Sequence, residues 1–190
     1  MEQPKNAIFY PPGGILIWFL IILEMFTFLG GILVFMYYRK IEFNQFEEAQ
    51  SELNPLIGTV NTLILIISGY FAANCIRQIK TGNSDKAAKS IFLSMILGIL
   101  FLAVKSYEYS TKTSAGTGFG ESTFFSFYWL LTGFHFVHVL FGIGLLFFMY
   151  RGISKKKYNQ NNYFDVETSA AYWHLCDLIW ILIFPVIYLS

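Results

Sequence analysis

Charge is scarce in this chain. Only 13% of its 190 residues are Asp, Glu, Lys or Arg, and the formal net charge is +1, which leaves no electrostatic basis for holding nucleic acid. Cysteine is scarcer still. Cys75 and Cys176 are both within apolar runs and far apart in sequence, so neither a disulfide framework nor a CxxC-type metal site is expected. Both read as small buried hydrophobes. There are three histidines, His135, His138 and His174, too few and too scattered for a redox centre carried by this chain alone. No stretch resembles a nucleotide loop, a nucleophile elbow or a phosphate cradle. No internal repeat and no second domain can be found, so residues 1–190 are read as a single membrane domain.

What the sequence has in abundance is apolar surface. Hydrophobic residues make up 55% of it, aromatics 19%, and the mean hydropathy is +0.52. A water-soluble domain cannot bury that much, so the solvent is a bilayer. Five apolar spans emerge, at about 14–38, 55–76, 87–109, 121–150 and 168–189, and they predict an all-α polytopic bundle. The first is opened by Pro11-Pro12-Gly13-Gly14 and runs too long for a signal-peptide core, with no A-x-A-like site after it. It is expected to be retained as a membrane helix. Pro55 is acceptable in a first helical turn. The Gly82-Asn83 pair marks the tight connection between the second and third spans, and the acidic stretch after Arg39, with Glu42, Glu47, Glu48 and Glu52, reads as a solvated loop.

Lysine and arginine set the expected orientation. With five spans, one side carries Lys5, Arg77, Lys80, Lys86, Lys89, Arg151 and Lys155 to Lys157; the other has Arg39, Lys40, Lys105 and Lys112. The excess of positive charge predicts a cytoplasmic N-terminus and an external C-terminus.

Polar groups inside the apolar slab are the candidate functional residues. They are Glu24, His135 with His138, His174 with Asp177, and Lys105 with Glu108. Glu24 lies about 15 Å into its helix, His138 about 18 Å and Asp177 about 14 Å, at ~1.5 Å rise per residue. A shared mid-membrane layer is therefore geometrically open to the first, fourth and fifth spans. His135 and His138 are three apart on one helical face, as are His174 and Asp177. Helix-to-helix hydrogen bonding is the leading reading for these residues. Proton uptake through Glu24 is the runner-up. Lys105 and Glu108 read as an i,i+3 ion pair that snorkels to the interface. A bis-histidine haem is disfavoured because His174 is only about 9 Å deep against about 18 to 22 Å for the other two. A metal is disfavoured because no third and fourth ligand accompany His135 and His138.

Several blocks, taken in order, resemble subunit III of the haem–copper respiratory oxidases. Residues 17–28, IWFLIILEMFTF, look like that family's helix with a membrane-buried glutamate. NTLILIISG at 61–69 and LGILF at 97–101 leading to Glu108-Tyr109 resemble the two that follow. TGFHFVHV at 132–139 is close to the signature T-G-F-H-x-x-H-V, and YWHLCDLIW at 172–180 matches Y-W-H-x-x-D-x-x-W. Longer family members have seven helices, and this chain resembles the last five; the two others form one wall of a lipid-holding cleft.

The resemblance implies an accessory, non-redox subunit of a proton-pumping cytochrome c oxidase, which reduces O2 to water in aerobic respiration. Such a subunit docks on subunit I, shares the complex with subunit II, and supports assembly, stability and proton uptake. Haems and copper are then expected in the partner subunits and none in this chain, with bound phospholipid open and a larger respiratory supercomplex open. The implied place is the cytoplasmic membrane of the cell. By position Glu24 would be the family's buried glutamate, and His135, His138, His174 and Asp177 its polar helix contacts. Third subunits of quinol oxidases and of nitric oxide reductase-associated proteins are similar. Outside the family, a transporter or proton channel using Glu24 and the histidines is the alternative, though repeat symmetry and broken helices are missing.

Overall fold

The computed structural model describes residues 11–189; Lys5, counted above for orientation, lies outside them. Six helices occur among the described residues: α1 (Ile15–Ile41), α2 (Phe43–Ser51), α3 (Pro55–Lys80), α4 (Ser84–Ser114), α5 (Thr123–Ser154) and α6 (Phe164–Tyr188). The chain is all-α, and five of these helices are long and apolar enough to cross a membrane. They coincide with the five apolar spans and run past them by up to two turns. At 31 residues α4 is about 46 Å long, well beyond a hydrocarbon core of about 30 Å, so its polar ends reach through the headgroup layer.

Local chemistry sets the boundaries. Asn54 accepts hydrogen bonds from the backbone N–H groups of Leu56 and Ile57 and so caps α3, with Pro55 as its first residue. Ser122 caps α5 by accepting from the N–H of Phe125 at 3.2 Å. Between α3 and α4, Gly82 takes φ 79°, a left-handed turn that glycine adopts without steric cost.

The helices α3, α4, α5 and α6 pack in a ring, each against the next and α6 back onto α3. α1 lies outside this ring, against α5 and α6. Its buried stripe is short: Phe28, Ile32 and Phe35, at the i, i+4, i+7 spacing of one helical face. α6 is the most deeply inserted element, and Trp173 is its anchor. A side chain at Gly98 of α4 or Gly142 of α5 would collide with the Trp173 indole, so the ring fits between two helices that carry no Cβ at that level. Small residues of this kind let helices approach closely where lipid removes any hydrophobic driving force. Trp173 Nε1 also donates to Ser68 Oγ at 3.1 Å, and Ser68 Oγ donates on to the Ser94 carbonyl.

The acidic stretch expected as a loop contains a helix instead. α2 buries Phe46 and Ala49, and Phe46 packs edge-on against Phe35 and Phe124. Apolar residues three apart on an otherwise acidic segment give it one face to bury. Its Gln50 Nε2 donates to the Ile187 carbonyl at 3.1 Å, satisfying one of the free carbonyls at the end of α6.

Candidate functional site

Apart from His135, the polar candidates inside the bundle form three separate groups. Glu24 of α1 and His138 of α5 meet, with Glu24 Oε2 3.4 Å from His138 Nε2. The other ring nitrogen, Nδ1, lies 2.8 Å from the Phe134 carbonyl oxygen. A carbonyl only accepts, so Nδ1 carries a hydrogen. In a neutral ring Nε2 then presents a lone pair to Glu24. A carboxylate and a lone pair repel, whereas one proton on either atom makes the contact attractive. The pair is therefore complementary when it holds a single proton. Phe28 and Phe134 stand edge-on to the imidazole, with ring centroids at 5.6 and 4.6 Å. The two side chains are 20% and 11% exposed, which places the pair at the rim of the bundle rather than in its middle.

His135 is elsewhere. It is completely buried, stacked on Trp180 with ring centroids 5.2 Å apart and edge-on to Phe101. Three residues along a helix turn the side-chain direction by about 60° short of a full circle. That offset sends His135 into the ring of α4, α5 and α6 while His138 faces α1. Phe28 of α1 stands edge-on to both rings, 6.5 Å from His135 and 5.6 Å from His138, but their other neighbours differ.

The shared mid-membrane layer divides in the same way. Asp177 does not join Glu24 and His138. It pairs with His174 on its own helix, Oδ2 to Nδ1 at 3.2 Å, and lies against Gly69 of α3, where any Cβ would overlap Oδ2.

Lys105 and Glu108 form the third group, and they are not at the lipid interface. Lys105 is 1% exposed. The ammonium donates to Glu108 Oε1 at 3.1 Å, to Tyr128 OH at 3.3 Å and to Tyr188 OH at 2.5 Å, using all three of its hydrogens. Glu108 Oε1 also accepts from the hydroxyls of Tyr128 and Tyr188. Four aromatic rings, those of Tyr109, Tyr128, Trp180 and Tyr188, surround the ammonium at 4.8 to 5.4 Å. Snorkelling is unnecessary because α5 and α6 bring hydroxyls and π-faces to the charge. Sequence reasoning did not single out Tyr128 and Tyr188. Their position near span ends reads as interfacial tyrosine, and only the packing shows that both turn inward.

Both cysteines are buried and free. Among the described residues, no three His, Cys, Asp or Glu side chains cluster closely enough to hold a metal ion. What the arrangement does is bring Glu24 and His138 within ion-pair distance at the rim of the bundle and pin side chains together at the other two groups.

Comparison with known proteins places this geometry. The family model for cytochrome c oxidase subunit III matches residues 14–190. The chain is 31% identical over 170 residues to cytochrome c oxidase subunit 3 of Synechocystis sp., covering 89% of this chain and 72% of that protein. It is 34% identical over 137 residues to the same subunit of Patiria pectinifera, and 35% over 138 residues to that of Struthio camelus. In those animal relatives the match spans about half of their length (51%) and 70 to 72% of this chain. The family match runs through all five long helices and takes in every titratable residue described above, and the chain belongs to the cytochrome c oxidase subunit III family.

Proposed function

We propose that the chain is subunit III of a haem–copper terminal oxidase, an accessory subunit that makes and breaks no redox bond itself. It docks on subunit I, which bears the haems and copper, in a complex that also contains subunit II and reduces O2 to water. The observation that carries this reading is a family match extending over the whole helical bundle. The complex would sit in the cytoplasmic membrane with the start of α1 on the cytoplasmic side. Arg77, Lys80, Lys86, Lys89, Arg151 and Lys155 to Lys157 cluster toward that side, while Lys105, formally on the other, is spent inside the bundle.

Within that role Glu24 and His138 would supply a protonatable pair at the rim of the subunit, and the Lys105 group would hold the external end of the bundle together. Glu24→Gln is then expected to leave assembly intact and change the activity of the complex modestly. The deciding experiment is purification of the tagged chain from its own membranes in mild detergent. Co-purification of a haem- and copper-containing complex that consumes O2 supports the reading. A colourless protein that moves ions or protons alone would replace it with a transporter. The identity of the electron donor, cytochrome c in this reading, follows from testing reduced cytochrome c against a quinol in the same preparation.

A further inference from the structure

α1 is held at its two ends more firmly than along its cytoplasmic half. Its three buried side chains, Phe28, Ile32 and Phe35, begin past the middle of that half. From Ile15 to Thr27 no residue is buried, yet Gly13 and Gly14, just ahead of the helix, are. Ile17, Ile21 and Met25 are partly buried there, and Glu24 meets His138. A hollow of about 650 Å³ separates this stretch from the bundle, walled by Trp18 and Ile21 of α1, Ala73 and Ile76 of α3, and Ala171 and Leu175 of α6.

The cytoplasmic fastening is a clasp around one carboxylate. Glu167 Oε2 accepts from the Gly13 N–H at 3.3 Å, and Oε1 accepts from Lys80 Nζ of α3 at 3.1 Å. The Thr168 hydroxyl shares its hydrogen between the Gly13 and Phe164 carbonyls. Gly13 takes φ 76°, and a Cβ there would come within 2.9 Å of Thr168 Cα, so glycine is what closes the clasp this tightly. The Glu167 side chain is 15% exposed and lines the hollow. Trp18 Nε1 donates to the Pro12 carbonyl at 2.9 Å, which ties the clasp to the first turn of α1.

A joint lies further along the same helix. Glycine pairs are among the few places where a long helix bends sharply, and α1 contains Gly30-Gly31. Packing accounts for Gly31, where a Cβ would meet Leu131 at 2.8 Å. It does not account for Gly30, whose Cβ would have nothing within 4 Å; what glycine adds at that position is backbone freedom. From Gly30 back to Ile15 the helix is about 22 Å long at ~1.5 Å per residue. A bend of about 20° at the joint moves the tip by about 8 Å, Glu24 by about 3 Å and Phe28 by about 1 Å. The clasp and the Glu24–His138 contact then part together, while Ile32 and Phe35 keep their seats.

We infer that residues 15–29 form a hinged arm, pivoting at Gly30-Gly31 and held shut by the Gly13–Glu167–Lys80 clasp, which opens the hollow sideways to the bilayer. Such an arm is independent of the function proposed above, because it is built from helices of this chain alone.

The test is a pulsed electron–electron distance measurement on the full chain, with its native partners, in lipid nanodiscs. Spin labels are placed at Leu16 on the arm and Lys86 at the start of α4, with Leu33 and Tyr107 as the control pair on the external halves of α1 and α4. All four positions are exposed, and the native cysteines are buried. The clasped chain should give one Leu16–Lys86 distance. Glu167→Ala with Thr168→Val should add a second, longer by about 5–8 Å, in roughly a third of the molecules or more. Gly30→Ala, which has room for its methyl group, should return at least half of that population to the first distance. The Leu33–Tyr107 distance should stay the same throughout. A single unchanged Leu16–Lys86 distance in the unclasped chain overturns the arm. Equal broadening of both pairs means general loosening and overturns it too. A second population that Gly30→Ala leaves in place removes the joint, and the hinged arm with it.

Discussion

The Lys105 group and the Glu24–His138 pair both put ionisable side chains into an apolar slab, yet they are built on opposite principles. Around Lys105 every hydrogen of the ammonium has an acceptor, and one carboxylate oxygen receives three donors from three helices. At the rim, Glu24 and His138 have essentially each other, and their contact is favourable only with a proton between them. The first arrangement fixes geometry, because removing any member strands another. The second leaves a titratable contact between the peripheral helix α1 and the bundle. Saturation gives rigidity; economy leaves room for a proton.

The largest effect is therefore expected where saturation is greatest. Lys105→Met leaves Glu108 as a lone buried charge, and breaking a buried pair from one side costs about 3–5 kcal/mol. Denaturation of the detergent-solubilised protein would show it. Adding Glu108→Gln to the same chain should recover more than half of the loss, since a neutral pair strands no charge. If the double variant is as unstable as the sum of the singles, the group is not the closed unit described here.

Next in size is Tyr188→Phe, which deletes one hydroxyl from that network. The loss of a donor to a charged acceptor is worth about 1–3 kcal/mol, and Tyr128 still bonds Glu108. Tyr188 also sits beside the carbonyls that α2 caps through Gln50. A second readout is then hydrogen exchange at the end of α6, which should speed up in Tyr188→Phe and not in Glu24→Gln. Equal protection in both variants would erase the contrast between the two regions.

How much of this contrast was legible in the sequence depends on the range of the interaction. The five long helices follow from apolar runs alone, because hydropathy is a local property. The depth match of Glu24 and His138 was legible too, since rise per residue gives level along a helix. Direction around a helix is what rise cannot supply. Level alone left Asp177 with Glu24, and only the packing of α6 turns it toward Gly69 on the far side. For the same reason the Lys105–Glu108 spacing showed a pair but not its burial, which depends on hydroxyls arriving from Tyr128 and Tyr188, 23 and 83 residues along the chain. α2 could have been found: Phe43, Phe46 and Ala49 repeat every three residues in the acidic stretch, and the density of glutamates masked them.

Glu24→Gln tests the economical side, and a small effect is expected. The amide N–H can donate to the His138 Nε2 lone pair, replacing the shared proton with a fixed hydrogen. Stability should change by less than about 1 kcal/mol, within the usual range for one hydrogen bond. The check is the thermal midpoint of the detergent-solubilised variant against that of the wild-type protein. A loss comparable to that of Lys105→Met would show that the rim contact carries as much of the bundle as the buried cluster.

The smallest effect is expected outside the slab, and it calibrates the other three. Lys80 Nζ is 3.1 Å from Glu167 Oε1, with the lysine side chain 47% exposed. An ion pair so open to water contributes at most about 1 kcal/mol and is screened by salt. Glu167 has a second task, because its Oε2 accepts from the Gly13 N–H at the start of α1. Lys80→Met should therefore cost a few tenths of a kcal/mol at low ionic strength, and the difference should vanish in 1 M salt. The variants at Lys105 should keep their full cost in the same salt, since their charges are shielded by protein rather than by ions. If Lys105→Met becomes salt-sensitive as well, water reaches that group, and the distinction between a sealed cluster and a titratable rim would have to be withdrawn.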